Sequence, residues 1–501
     1  MKAPTNKPAT PETYSALYEN MGVHIEFFNS ILQKTILKIK DLQQRQNKTK
    51  EENFVLALYE IYAFAATVNL DIATFLRADF RSNLPSEKRI NIRYINVAVI
   101  EGYKYLGATK NEEQNNAKWE QFKVIANELS DSELNKDIAI FDNSLAEFKT
   151  QYFNKVNINN RNLAIHYDKD PFKVYDYYIS LDEDIEVKRV CEFFKLIDKL
   201  VRFLTKHISK IELKPDETPI PADYSLIERI NTFITDNHDI FHIAGKAIET
   251  YSESLDKMSL YRKLPDHFAA SINEKFNIGK NEIKEEFKPV IDDMKPGILV
   301  MLIYLDLCAA VRAYLSSESY CEKQLNLRHI EVIVYEGCKH LYGFNDTQQK
   351  KSFWQTTLSP LFANSNNEAT KKCLFEIQAG LSAIISDKTI NNEALRECFV
   401  HYRYENRDNT VTLFEESQKS FAIFEFNKAK LLLDLLPKII KINGEIMLQK
   451  NHTIKEQNQK KKEEIIALLR KPLDKITDTK KREEFEKTLQ PIIALITKIY
   501  S

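Results

Sequence analysis

Arg161-Asn162-Leu163-Ala164-Ile165-His166-Tyr167 and Arg396-Glu397-Cys398-Phe399-Val400-His401-Tyr402 share one spacing: an arginine, four residues, a histidine and a tyrosine. Arginine is a permanent planar cation that forks onto phosphate oxygens. Histidine titrates near neutrality and can take or give a proton. The pair suits RNA cleavage by attack of the 2′-hydroxyl on its own phosphate, a reaction that needs no metal. Histidine would move the proton while arginine stabilises charge on the crowded phosphate.

With 17 Arg and 10 His in 501 residues, chance supplies roughly 0.3 Arg-x4-His matches at this composition. Four occur. Arg202–His207 and Arg262–His267, the latter containing Pro265, have no counterpart at a matching position, so they read as background. The other two lie 235 residues apart, and the same offset aligns much of the chain. Asp71 maps to Asp306, Arg77 to Arg312, Arg93 to Arg328 and Glu101-Gly102 to Glu336-Gly337; Trp119 maps to Trp354, and these are the only two tryptophans. The register slips by one residue where Leu196-Ile197-Asp198 meets Leu432-Leu433-Asp434. Duplicated helical bundles explain this economically. Five positions along a helix turn about 140° and rise about 7.5 Å. Arg and His therefore do not converge on one straight helix, and a second motif opposite would complete the site.

The elements that must position these residues read as helices throughout. Gly is rare, at 10 of 501, which leaves few turns of positive φ or phosphate-cradling loops. Lys, Glu, Leu, Ala and Gln fill the intervals between breakers. Apolar residues recur at three- and four-residue spacing over 21–42, 53–80, 90–106, 111–129, 135–155, 184–208 and 224–255. Asp170-Pro171 forces extended backbone after the first motif. Three prolines in seven residues, Pro215 to Pro221, mark a linker. The expected architecture is all-α: two pseudo-symmetric bundles, unit 1 over 1–210 and unit 2 over 224–501, joined by a Pro-rich linker at 211–223. Unit 2 carries a helical tail from 443.

Composition excludes several classes. No GxGxxG or GxxxxGK run occurs, so nucleotide-cofactor loops are unsupported. A formal net charge of −1 gives no global attraction to nucleic acid or anionic membrane. The N-terminus lacks an apolar signal region. The apolar run 298–305 reads as too short and too charged to cross a bilayer. Six cysteines without a CxxC pair fit reduced core residues of a cytoplasmic protein. His238-Asp239-Ile240-Phe241-His242 mimics zinc spacing but lacks a third ligand, so neither metal nor cofactor is expected.

The two motifs resemble the Arg-Asn-x3-His and Arg-x4-6-His signature of HEPN domains. The resemblance rests on six or seven residues per copy, within helical context covering most of 55–205 and 290–440. It implies bundles that pair so that two motifs face each other in a composite, metal-independent endoribonuclease site. Such proteins include toxins, abortive-infection proteins and CRISPR effectors. On this basis Arg161, His166, Arg396 and His401 are the expected catalytic residues. Asn162 and Tyr167, with Glu397 and Tyr402, are expected to bind RNA or support the site. Glu397 departs from the usual Asn, Asp or His, and its charge would weaken the hold of Arg396 on phosphate. The expected partners are an RNA substrate and a restraining antitoxin or activator, with the site formed in one chain or across a homodimer and no membrane involved. Two other readings stand beside it: a non-catalytic helical interaction module, in which Arg and His hold the units together, and an RNA-binding module without cleavage. The repeated Asp71/Asp306, Arg77/Arg312 and Glu101/Glu336 read better as buried pairs fixing helix register, and the tryptophans as core anchors.

Overall fold

The computed structural model describes residues 11–107, 117–153, 163, 167, 170–211, 237–276, 280–386, 396, 399–400, 423–470 and 477–500. Among these the protein is all-α, and no strand occurs. The first half comprises α1 (Pro11–Gln44), α2 (Lys50–Arg81), α3 (Pro85–Gly107), α4 (Lys118–Asn127), α5 (Ser132–Tyr152), α6 (Pro171–Ser180) and α7 (Glu183–Ile211). The second comprises α8 (His238–Phe276), α9 (Lys280–Ser316), α10 (Tyr320–Leu341), α11 (Asp346–Gln349), a π-helical turn (Trp354–Leu358), α12 (Ser359–Asn364), α13 (Glu368–Ile385), α14 (Ile423–Arg470) and α15 (Thr479–Tyr500).

Local chemistry sets the helix starts. Thr49 caps α2 in a reciprocal box with Glu52; such a cap contributes about 1 kcal/mol. Asp131, Ser319 and Asn367 accept from the first-turn amides of α5, α10 and α13. Asp170 caps α6, and Pro171 occupies its first turn, where a missing N–H costs nothing. Gly343, at φ +82°, ends α10 in a conformation that a Cβ would strain.

Two helices are wrapped on nearly all sides. α2 is buried almost continuously from Ala63 to Asp79, and α9 from Val300 to Val311. α1, α3 and α7 pack on α2; α8, α10 and α14 pack on α9. Gly102 of α3 lies so close to α2 that an added Cβ would sit 2.8 Å from Val68. Gly337 of α10 makes the corresponding approach to Ile303 of α9, at 2.9 Å. By length and composition both α2 and α9 could cross a membrane, which revises the reading of 298–305 as too short. In this structure 78% and 89% of their apolar windows are buried against other helices.

The sequence expectations meet the structure unevenly. Trp119 and Trp354 are buried in the apolar cores. The closing helix of the second half continues unbroken as α14 into the expected tail as far as Arg470, and α15 forms a separate helix within that tail. Of the helix expected over 224–255, the part before 237 lies outside the described residues; α8 runs from His238 through Pro265 to Phe276, farther than expected at its C-terminal end. The Pro-rich linker lies outside the described residues. Arg262, from one of the two background matches, donates to Asp176 of α6 at 2.6 Å and stacks on Phe172, tying α8 to α6.

Four buried ion pairs join the halves. Arg93 of α3 meets Asp306 of α9, and Arg328 of α10 meets Asp71 of α2. Arg77 of α2 donates to Glu322 of α10 at 2.8 Å, and Arg312 of α9 to Glu87 of α3 at 2.9 Å. Adding 235 to the first-half residue of each pair gives the second-half residue of its counterpart: 93 and 71 become 328 and 306; 77 and 87 become 312 and 322. Residue i meeting j while j's equivalent meets i's equivalent is the pattern of a twofold interface. Buried pairs of this kind select register more than they add net stability, because desolvation offsets most of the attraction.

Candidate functional site

Arg161, Asn162, His166, Glu397, His401 and Tyr402 lie outside the described residues. Of the seven-residue motifs the structure places Leu163 and Tyr167 in the first, and Arg396, Phe399 and Val400 in the second.

Three described motif residues, Tyr167, Phe399 and Val400, reach into the core of the opposite half. Tyr167 is buried and joins the large core of the second half with Tyr94, Phe172 and the apolar face of α9. Its hydroxyl donates to Asp306 at 2.8 Å. Burial first, and then the Asp306 charge, raises its pKa well above the ordinary phenol value, so it remains a proton donor. Phe399 and Val400 make the converse move and join the core of the first half, against Val97 and Ala98 of α3. Leu163 packs against both cores.

Arg396 behaves differently. It is 5% exposed, and its Nε lies 3.2 Å from Oε1 of Glu336, itself 1% exposed. Its guanidinium also sits 5.4 Å from the Tyr335 ring centroid. Its charge is thus spent on a buried carboxylate of α10 within its own half. In this arrangement Arg396 presents no open face to a phosphate.

Where the halves meet near Phe399 and Val400 lies a half-open cavity of about 50 Å³, bordered by Asp71, Phe75, Tyr94, Arg328 and His329. That volume holds roughly three waters, whereas a cavity that takes up benzene measures roughly 150 Å³. A nucleobase does not fit it as it stands. His329 is 8% exposed and its Nε2 has no hydrogen-bond partner. Its ring packs edge-on against Tyr94, with centroids 3.8 Å apart, and against Phe75 at 5.0 Å. Burial first, then the Arg93 and Arg328 charges, push its pKa down to about 3. It is therefore neutral at physiological pH. No cluster of His, Cys, Asp or Glu able to hold a metal occurs among the described residues.

Sequence reasoning had singled out Asp71, Asp306, Arg93 and Arg328 as positions 235 residues apart, and in the structure they pair with one another. It missed Glu87 and Glu322, which the same offset relates. It also missed His329, for which position 94 carries tyrosine and no repetition signals it. No protein-family model matches the chain, nor does any curated protein or solved structure.

Proposed function

We propose that the protein is a metal-independent endoribonuclease of HEPN type, built from two copies of one ancestral helical unit. Arg161, His166, Arg396 and His401 form its composite site. One imidazole removes the proton of the 2′-hydroxyl, whose oxygen attacks the adjacent phosphorus. The other gives a proton to the departing 5′-oxygen, leaving a 2′,3′-cyclic phosphate and a 5′-hydroxyl. The observation that supports this best is the placing of one or two described residues of each motif in the opposite half. Tyr167, next to His166, is seated in the second half, and Phe399-Val400, next to His401, in the first. The reciprocal ion pairs support the common ancestry of the halves. A cytoplasmic ribonuclease needs restraint, so a toxin or antiphage defence setting with an antitoxin or activator fits this reading.

The test is a labelled single-stranded RNA incubated with the purified chain. Removing an acid–base group lowers the rate by about 10² to 10⁴. His166→Ala and His401→Ala are each expected to lose cleavage at that scale while keeping the helical circular dichroism spectrum. EDTA is expected to have no effect; strict dependence on a divalent ion would overturn the mechanism. One observation favours the non-catalytic interaction module instead: the burial of Arg396 against Glu336. On that reading the histidine variants shift only the melting temperature, and the RNA stays intact.

A further inference from the structure

We propose that the second half carries a self-complementary docking face, and that the partner it fits is the second half of another copy of this chain. The ion pairs that join the halves do not distinguish a half from its equivalent. Arg328 meets Asp71, and Arg93 meets Asp306. Asp71 and Asp306 hold equivalent positions, so Arg328 of one copy matches Asp306 of a second. Arg312 meets Glu87, and Arg77 meets Glu322. Arg312 therefore matches Glu322 of a second copy in the same way. A twofold pairing of second halves keeps every buried ion pair complementary. The second half also orients these groups without help from the first. Arg312 donates to the Phe241 carbonyl at 2.9 Å, with its guanidinium 3.9 Å from that ring's centroid. Glu322 accepts from the Glu318 amide at 3.0 Å.

The twofold axis decides which like pairing is permitted. A residue that meets its own equivalent lies on that axis. Arg81 donates to Ser316 at 2.7 Å, and the two are 235 residues apart. Tyr94 packs edge-on against His329, again 235 residues on, with centroids 3.8 Å apart. In both meetings the first half supplies the charged or larger side chain and the second half the smaller one. Two first halves would set Arg81 against Arg81 and crowd Tyr94 against Tyr94. Two second halves would set serine against serine and the neutral His329 against itself. Like charges placed on an interface reject a wrong partner. The first half is thus guarded against its own kind, and the second is not. Within one chain the pairing is intramolecular, with effective concentrations on the order of millimolar for joined modules. At micromolar protein the first half therefore covers the face, and a second copy gains it when that pairing is weakened.

Asp306→Arg with Arg328→Asp sets both new charges against the like charges of Arg93 and Asp71 in the same chain. Between two second halves the new charges remain complementary. Light scattering during size exclusion is expected to give the parent the mass of one chain and this double variant the mass of two. Adding Ser316→Arg creates a like-charge meeting on the axis and is expected to return the mass to one chain. Adding Asp71→Arg and Arg93→Asp instead makes the intramolecular pairs complementary again. That quadruple variant is expected at the mass of one chain, with the parental circular dichroism spectrum. A one-chain mass for the folded double variant, or a dimer that survives Ser316→Arg, would overturn the proposal. A second measurement leaves the buried charges untouched and decides the matter even where the double variant does not fold. Ser316→Cys in the otherwise parental chain brings two thiols together on the axis whenever second halves pair. Oxidation is expected to trap a disulfide-linked dimer on a non-reducing gel, growing with protein concentration. Its yield is expected to exceed that of Ser386→Cys, at the exposed end of α13. A yield no greater than this control would equally overturn the pairing.

Discussion

His329 makes the interface sensitive to acid by an amount that can be worked out. Its ordinary pKa is 6.5, and in the folded protein it is pushed down to about 3 by burial and by the neighbouring Arg93 and Arg328. The unfolded chain therefore binds more protons than the folded one at every pH between those values. Stability is lost as pH falls through about 6.5 and keeps falling towards about 3. Integrating the difference gives about 2 kcal/mol lost between pH 7 and pH 5 from this one residue, with a ceiling of about 5 kcal/mol at lower pH. His329→Phe keeps an aromatic ring in the Phe75–Tyr94 cluster, sacrifices no hydrogen bond of Nε2, and cannot titrate. Urea unfolding of parent and variant at pH 7, 6 and 5 measures the effect. It should be followed by circular dichroism and tryptophan fluorescence together, so that a single transition is verified. Other titrating groups act equally in both chains, so the difference isolates His329. The parent is expected to lose about 2 kcal/mol more than the variant over this range. Equal losses in the two chains would refute the claim that His329 is buried neutral between two guanidiniums.

Further outcomes follow from the interface and from helix packing. Asp71→Ala leaves Arg328 buried without its carboxylate and is expected to cost about 3–5 kcal/mol, whereas Asp71→Ala with Arg328→Met is expected to cost far less. Unfolding of the two single variants and the double variant forms the cycle, and strict additivity would contradict the pairing. Gly102→Ala places a methyl 2.8 Å from Val68 and is expected to destabilise by about 1–3 kcal/mol. Adding Val68→Ala should recover part of the loss in melting temperature. Thr49→Ala removes the cap of α2 and is expected to cost about 1 kcal/mol, read as faster amide exchange in the first turn of that helix.

Much of the fold was legible in the chain because helix signals are local. The apolar spacing that marks α2, α3, α5 and α7 acts within a few residues. Where expectations slipped, local rules met tertiary packing. Pro265 does not interrupt α8, and α14 runs unbroken through the boundary drawn between closing helix and tail. The repeat offset pointed to positions that matter without saying what they touch. Arg93 could have paired with Asp71 on its neighbouring helix α2; it pairs with Asp306 on α9 instead.

The sequence by itself determined the helical class, the 235-residue correspondence and the chemistry available in two Arg-His sets, because composition, periodicity and spacing are properties of a linear string. Only the tertiary structure decided that Tyr167, Phe399 and Val400 reach into the opposite half, that Arg396 faces Glu336, and that Asp306 serves both Arg93 and Tyr167. Those outcomes depend on which charges lose water together. That is fixed when two buried helix faces meet, and no residue's neighbours along the chain record it.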